Sequence, residues 1–289
     1  MAYCSSSVPL TSLLYVFILI LSGMTMSAHA KNITIVNLCK ETIWPAIITL
    51  GNNNGGSGFQ LKAGQTAFYS APDGWSGRIW GRTGCSFDNN GNGTCQTGSC
   101  GDSLNCSSAG SLPVSIAEFT IGQPDFYDVS LVDGFNLPIV VTPINGTGNC
   151  SAAGCDGDLR QSCPSQLTFK SNGKDVACRS ACDVFNTDEY CCRGSYGDPG
   201  SCLPTNYSKI FKQTCSAAST YAFDDRTSII TCSAREYVVS FCATRNQTVC
   251  SYHDHTLACN VSGGLRSFSS SWWSLMLAIP FTLFIRSLF

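Results

Sequence analysis

Positive charge is scarce in this 289-residue sequence. It contains 17 Lys and Arg, and none of them falls in the 77 residues from 83 to 159, although that stretch holds eight Asp or Glu. Proteins that bind nucleic acid carry a basic stripe that neutralises phosphates. With a net charge of −2 and only 12% charged residues, the sequence predicts no nucleic-acid partner.

Histidine is also scarce, with three residues: His29, His253 and His255. None lies in the long cysteine-rich body between the first and the second, which excludes a His-activated nucleophile there. The cysteines of residues 178–192 could be interpreted as a zinc site from their spacing. The high cysteine content instead indicates disulfides, so we expect neither a metal nor a cofactor.

No apolar run reaches the roughly 20 residues that a membrane-spanning helix needs. Residues 11–22 form a shorter apolar core that leads to Ala28-His29-Ala30, a processing site of the A-x-A type. This order is typical of a secretory signal peptide. We expect a signal peptide over residues 1–30, with cleavage before Lys31.

A second short apolar run covers residues 272–285, close to the C-terminus. It follows a small-residue patch at 262–264 and a short spacer, the order in which a tail is exchanged for a glycolipid. We expect Ser262 as the attachment site and a protein held extracellularly at the outer face of the plasma membrane. A retained tail and an unprocessed secreted form are the alternatives.

Cysteine is abundant, with 19 residues. So many thiols would stay reduced and reactive in the cytosol, so they indicate an oxidising compartment. Cys4 leaves with the signal peptide, and an even number, 18, remains. Eight N-x-Ser/Thr sequons predict an exported glycoprotein.

The sequence pattern predicts a mainly β fold. Residues 31–82 contain runs that alternate polar and apolar residues or are rich in β-branched ones, and no useful helical periodicity occurs before residue 155. Two cysteine-rich stretches need disulfides to hold their shape. The expected boundaries are a body at 31–243, an extension at 244–264, and a spacer with the apolar tail at 265–289.

Residues 118–138 interleave carboxylates with large aromatic side chains, as a sugar-binding cleft does. Sugar rings offer apolar faces to aromatics and hydroxyls to carboxylates, although core packing is an alternative role for at least one aromatic. Because Asp128 and Asp133 are five residues apart, they share a face only if a turn at Asp133-Gly134 intervenes. The acids are Glu118, Asp125, Asp128 and Asp133, and the aromatics are Phe119, Phe126, Tyr127 and Phe135.

The sequence resembles the thaumatin-like proteins, the group-five pathogenesis-related family of plants, over residues 31 to about 243. The resemblance implies a β-sandwich, a disulfide-rich lobe over about 150–215, a small stapled hairpin near 84–107, and a cleft between sandwich and lobe. The segments that carry it lie at 35–39, 80–85, 93–98, 117–120, 128–138, 182–192, 204–208 and 221–225.

The resemblance also implies eight disulfides in the body. Cys250 and Cys259 fall outside this pattern, and we expect them to pair with each other. The implied pairs are Cys39–Cys242, Cys85–Cys95, Cys100–Cys106, Cys150–Cys232, Cys155–Cys215, Cys163–Cys178, Cys182–Cys191 and Cys192–Cys202.

By family motif, five residues line the cleft: Arg82, Glu118, Asp128, Asp133 and Asp224. The resemblance implies a secreted or cell-surface, monomeric defence protein that binds β-1,3-glucan or a related wall polysaccharide. An antifungal role with weak endo-β-1,3-glucanase activity is open, with Glu118 and Asp133 as the acid and its partner.

Two alternatives remain for this cleft. The first is an anchored, non-catalytic protein that binds or inhibits another protein. The second is a purely structural network in which Arg82 ties two of the acids together.

Overall fold

The computed structural model describes residues 30–51, 56–224, 228–243, 248–253 and 256–261, the last two ranges through their backbone. The expected signal peptide, apart from Ala30, lies outside the described residues, and so do Ser262 and the apolar tail. Within the described ranges, no helix is long and apolar enough to cross a membrane.

The described chain is built mainly from strands, which confirms the mainly β prediction. The first nine are β1 (Lys31–Asn37), β2 (Trp44–Thr49), β3 (Ser57–Gly58), β4 (Thr66–Ala71), β5 (Ser76–Arg82), β6 (Ser86–Phe87), β7 (Gly93–Thr94), β8 (Ile116–Thr120) and β9 (Asp125–Ser130). The others are β10 (Ile139–Ile144), β11 (Thr147–Gly148), β12 (Ala153–Gly154), β13 (Thr168–Ser171), β14 (Lys174–Cys178), β15 (Ile230–Ser233), β16 (Glu236–Phe241), β17 (Thr248–His253) and β18 (Thr256–Val261).

Two large sheets form a β-sandwich. The five-stranded sheet has the order β12-β10-β16-β1-β4, and the seven-stranded sheet has the order β11-β15-β9-β8-β5-β2-β3. Their facing sides share one apolar core, to which Ile35 and Val239 contribute from the first sheet and Ile79 and Val129 from the second. Since side chains alternate along each strand, the seven-stranded sheet keeps a second face outside this core.

The lobe that the resemblance implies is present between the sandwich strands β12 and β15. It contains the β13–β14 hairpin, 3₁₀ turns at Leu159–Gln161 and Gly194–Tyr196, and three short helices. Each α-helix begins after a Ser or Thr whose hydroxyl accepts a backbone N–H of the first turn, as N-caps do. The helices are α1 (Ala181–Phe185), α2 (Asp188–Cys191) and α3 (Asn206–Thr214).

Eight disulfides join the described residues, in the same eight pairs that the resemblance implies. Cys39–Cys242 closes the sandwich across 203 residues of sequence. Cys85–Cys95 and Cys100–Cys106 hold the small β6–β7 hairpin. The lobe therefore keeps its shape through covalent links, because its short helices could not form a core alone.

Candidate functional site

Three charged residues form a row across the outer face of the seven-stranded sheet. Arg78 in β5 lies opposite Glu118 in β8, and Glu118 lies opposite Asp128 in β9. The next residues along these strands, such as Ile79 and Val129, point into the sandwich core. By alternation, the side chains of Arg78, Glu118 and Asp128 point away from that core, towards the lobe side.

Arg78, Glu118 and Asp128 are together called the acidic row. Its centre is an ion pair. Arg78 Nε lies 2.6 Å from Glu118 Oε1, and the two side chains are 31% and 29% exposed. The Nε–H group makes no aligned hydrogen bond within the described chain, so the contact is one of charge rather than of direction. Such a pair adds little to stability because water still reaches it, and it leaves carboxylate oxygen accessible to a ligand.

The structure corrects the assignment of Arg82 to the cleft. Arg82 is fully buried and donates to the carbonyls of Trp44 (3.0 Å), Ser103 (3.2 Å) and Leu104 (2.8 Å). Burial lowers the pKa of its guanidinium to about 10. Its role is to fasten the loop at 100–106 to the sheet, and Arg78 is the arginine beside Glu118.

Gly58 makes room for this buried guanidinium. A Cβ atom at this position would collide with the Leu104 carbonyl and with the Arg82 side chain. The loop and strand β3 can therefore approach Arg82 closely only because residue 58 has no side chain.

A turn brings Asp133 to the same side as Arg78. The N–H of Gly134 donates to the Leu131 carbonyl at 3.0 Å, and Gly134 has φ +93°, a conformation that favours glycine. The intervening turn that the strand parity requires is thus present. Burial raises the pKa of Asp133, Arg78 opposes this rise, and the charge of Asp183 adds to it.

Asp183 is an acid of the site that the sequence did not reveal. It lies in the first turn of α1 and its Oδ2 is 2.6 Å from Arg179 Nε. No spacing in the sequence links residue 183 to residue 133, because the lobe folds back over the sheet only in three dimensions. The lobe thus adds a carboxylate and a guanidinium to the edge of the cleft.

Asp128 and Asp224 accept hydrogen bonds from two adjacent residues, Ser219 and Thr220. Ser219 Oγ donates to Asp128 Oδ2 at 2.9 Å, while the N–H and hydroxyl of Thr220 donate to Asp224 Oδ2 at 2.9 and 3.0 Å. Lys212 Nζ donates to the same oxygen at 3.0 Å. Burial works against ionisation of Asp224, but the Thr220 and Lys212 contacts outweigh it and lower its pKa.

The aromatic residues of the acidic stretch divide between surface and core. Phe126 is 43% exposed and lies two residues before Asp128 on the same face of β9. Tyr127 and Phe135 are buried in the sandwich core, and Asp125 is buried beside Lys31 and outside the acidic row. Phe126 is therefore the aromatic of this stretch that is open to a sugar ring.

Comparison with known proteins identifies this architecture. Residues 37–243 match the Thaumatin family. The chain belongs to the Thaumatin family. It is 51% identical over 218 residues to "Pathogenesis-related thaumatin-like protein 3.5" of Cryptomeria japonica, and the aligned region covers 74% of this chain and 91% of that protein. It is 45% identical over 235 residues to "Pathogenesis-related protein 5" of Arabidopsis thaliana, and the aligned region covers 80% of this chain and 98% of that protein.

Among solved structures, this thaumatin-like protein is similar to a laminaripentaose-producing β-1,3-glucanase in complex with laminaritetraose. The TM-score is 0.50 and the identity 11%, over 73% of this chain and 98% of that one. At this identity the likeness shows the fold alone.

A small, mostly apolar pocket opens in the lobe of the thaumatin-like protein. Its lining includes Tyr190, Tyr207 and Tyr221, and it reaches Val132, the neighbour of Asp133. In the described part of the chain, no cluster of three or more His, Cys, Asp or Glu could hold a metal ion. The chemistry that the described site offers is acid, base and hydrogen bonding from carboxylates.

Proposed function

We propose that this thaumatin-like protein is a secreted plant defence protein that binds β-1,3-glucan or a related neutral wall polysaccharide on the acidic row. The observation that carries the proposal is the combination on one open face of the half-buried Glu118 carboxylate and the exposed Phe126 ring. The carboxylate accepts sugar hydroxyls, and the ring covers the apolar face of a pyranose. A neutral polymer avoids the repulsion that an acidic ligand would meet here.

Retention on insoluble β-1,3-glucan tests the binding. We expect the wild type to be retained, and Phe126→Ala and Glu118→Gln to be retained several-fold less. Asp175→Asn is the matched control, because it removes one carboxylate from the exposed β13–β14 hairpin and should bind as wild type does. The proposal would be refuted if both site variants were retained as strongly as wild type, or if wild type were not retained at any pH from 4 to 7. Either result would favour a protein partner.

A weak endo-β-1,3-glucanase activity is a second candidate, favoured by the raised pKa of Asp133. A general acid must hold its proton near the working pH. In the reverse of the roles expected from the sequence, Asp133 would give its proton to the glycosidic oxygen as the C1–O bond breaks. Glu118, which pairs with Arg78, would take a proton from the attacking water or attack C1 itself.

Release of reducing ends from soluble β-1,3-glucan tests the hydrolysis. We expect Asp133→Asn and Glu118→Gln to lose the activity, and Asp175→Asn to keep it. Equal release by wild type and both site variants would exclude these carboxylates as the catalytic pair, whatever the outcome of the binding assay.

We also propose that the protein is attached to the outer face of the plasma membrane through a glycolipid at Ser262. The basis is the order of small residues, spacer and apolar run in the sequence. Treatment of membranes with phosphatidylinositol-specific phospholipase C should release the protein, and Ser262→Pro should not be attached. Release by high salt alone would contradict the anchor.

A further inference from the structure

The outer face of the five-stranded sheet is covered along β10 and β16. Ile139 and Val141 of β10 and Tyr237, Val239 and Phe241 of β16 point into the sandwich core. The alternate residues, which point the other way, are also buried and carry no charge except at the end of β16. They are Val140, Thr142, Ile144, Val238 and Ser240. A sheet face open to water would carry charged and polar residues at these positions.

The strand hairpin β17–β18 lies close to these two strands. Strand β17 is close to β16, and β18 is close to β10. Strand β16 pairs with β10 on one side and with β1 on the other along its full length, so the hairpin cannot reach it along an edge. Because the inner face is filled by the core, the hairpin lies on the outer face.

The cover is local rather than general. Phe68 in β4 lies opposite Thr34 of β1, on the same outer face, and it is 64% exposed. The hydroxyls of Thr142 and Ser240, on the covered part of this face, are buried without a hydrogen-bond partner in the described chain. The outer face is thus covered at β10 and β16 and exposed at its β4 edge.

The register of the hairpin places Cys250 directly opposite Cys259. Residues that oppose each other in an antiparallel pair have Cα atoms about 4.5–5.5 Å apart, which lies within the range that a disulfide spans. The other described cysteines, sixteen in number, are all used in the eight disulfides of the body. A link between Cys250 and Cys259 would complete the pairing of the described cysteines.

We propose that strands β17 and β18 form a disulfide-closed cap, held by Cys250–Cys259 and docked on the outer face of β10 and β16. The occupant of that face is this chain's own extension, which begins just after the part that matches the Thaumatin family. The acidic row lies on the outer face of the other sheet. A chain that continues from Val261 therefore leaves the sandwich on the side opposite the acidic row. Attachment to a membrane through that chain would point the acidic row away from the membrane.

Two measurements on the full-length secreted protein test the cap. Digestion without reduction, followed by mass spectrometry, should yield a peptide pair linked through Cys250 and Cys259. A free thiol at either position, or a link to another cysteine, would overturn the disulfide. This measurement needs no variant, so it stands even if substitutions disturb secretion.

Carbene footprinting tests the docking. In wild type we expect background labelling at Ile144 and Val238 and strong labelling at Phe68, the reference on the same face. Cys250→Ser/Cys259→Ser should raise labelling at Ile144 and Val238 several-fold, with Phe126 on the opposite face unchanged. Wild-type labelling of Ile144 and Val238 as strong as that of Phe68 would refute the docking. Unchanged labelling in the double variant would refute the role of the disulfide.

Discussion

Two arginines four residues apart in β5 should respond in opposite ways to the same substitution. Arg82 is fully buried and donates to three backbone carbonyls, whereas Arg78 is partly exposed and pairs with Glu118. We predict that Arg82→Met reduces stability strongly and leaves the acidic row intact. Arg78→Met should do the reverse.

The magnitude for Arg82 follows from its contacts. A hydrogen bond from a charged donor contributes about 1.5–3 kcal/mol, and the substitution removes three of them. Burial of the charge offsets part of this, by about 3 kcal/mol, as the pKa lowered to about 10 indicates. Methionine still packs against Phe87, over which the guanidinium lies at 5.3 Å from the ring centroid. The expected net loss is about 3 kcal/mol.

Calorimetric unfolding with the disulfides intact measures the effect. For a domain of this size, about 3 kcal/mol corresponds to a fall in Tm of roughly 10 °C. Arg78→Met removes a partly exposed ion pair and should cost less than about 1 kcal/mol, while it changes glucan retention. Similar falls in Tm for both variants, or a larger fall for Arg78→Met, would refute the division between a structural and a functional arginine.

Three further predictions concern the acids and the segment they hold. Asp133→Asn should raise Tm at pH 7 and not at pH 3. The pKa of Asp133 is raised, so wild type loses stability as the pH rises through that pKa. Thermal scans at different pH values measure the effect, and a larger gain in Tm at pH 3 would contradict the prediction. Asp224→Asn should lower Tm at pH 7, because the lowered pKa of Asp224 means that the folded state stabilises its ionised form. The difference in Tm from wild type should shrink as pH falls below the ordinary carboxyl pKa of 3.8. A difference that is constant with pH would show a purely steric effect. Ser219→Ala removes a hydrogen bond to the buried Asp128 and should cost about 1–3 kcal/mol in chemical denaturation, whereas Ser111→Ala, at an exposed position, should cost little.

Chemical composition and local patterns were enough to predict much of the fold. The alternation of apolar residues predicted strands such as β1 and β5, and the turn residues Asp133-Gly134 predicted the break after β9. The motifs that resemble the thaumatin-like family implied all eight disulfide pairs of the body. These features depend on neighbours along the chain or on a family pattern, so they can be inferred without coordinates.

The assignment of the cleft arginine could not be made in the same way. Arg78 and Arg82 share one face of β5, so strand parity treats them alike. Only the pairing register between β5 and β8 sets Glu118 opposite Arg78, and only the stapled loop at 100–106 encloses Arg82. Both are contacts between segments distant in sequence, which local pattern does not encode.

The division between aromatic residues has the same origin. Phe126 and Tyr127 are adjacent, and the sequence predicted that at least one of the aromatics packs in the core without specifying which. The second sheet covers Tyr127, whose hydroxyl donates to the Ser151 carbonyl at 2.5 Å, and leaves Phe126 in solvent.

By itself, the sequence determined that this chain is a disulfide-rich β protein of the Thaumatin family with a run of carboxylates free of local cations. The tertiary structure alone decided which cation faces those carboxylates, which acid has its pKa raised by burial, and which aromatic ring is open. Charge and burial at a site depend on what other segments bring to it, and those distances are set only when the sheets and the lobe pack together.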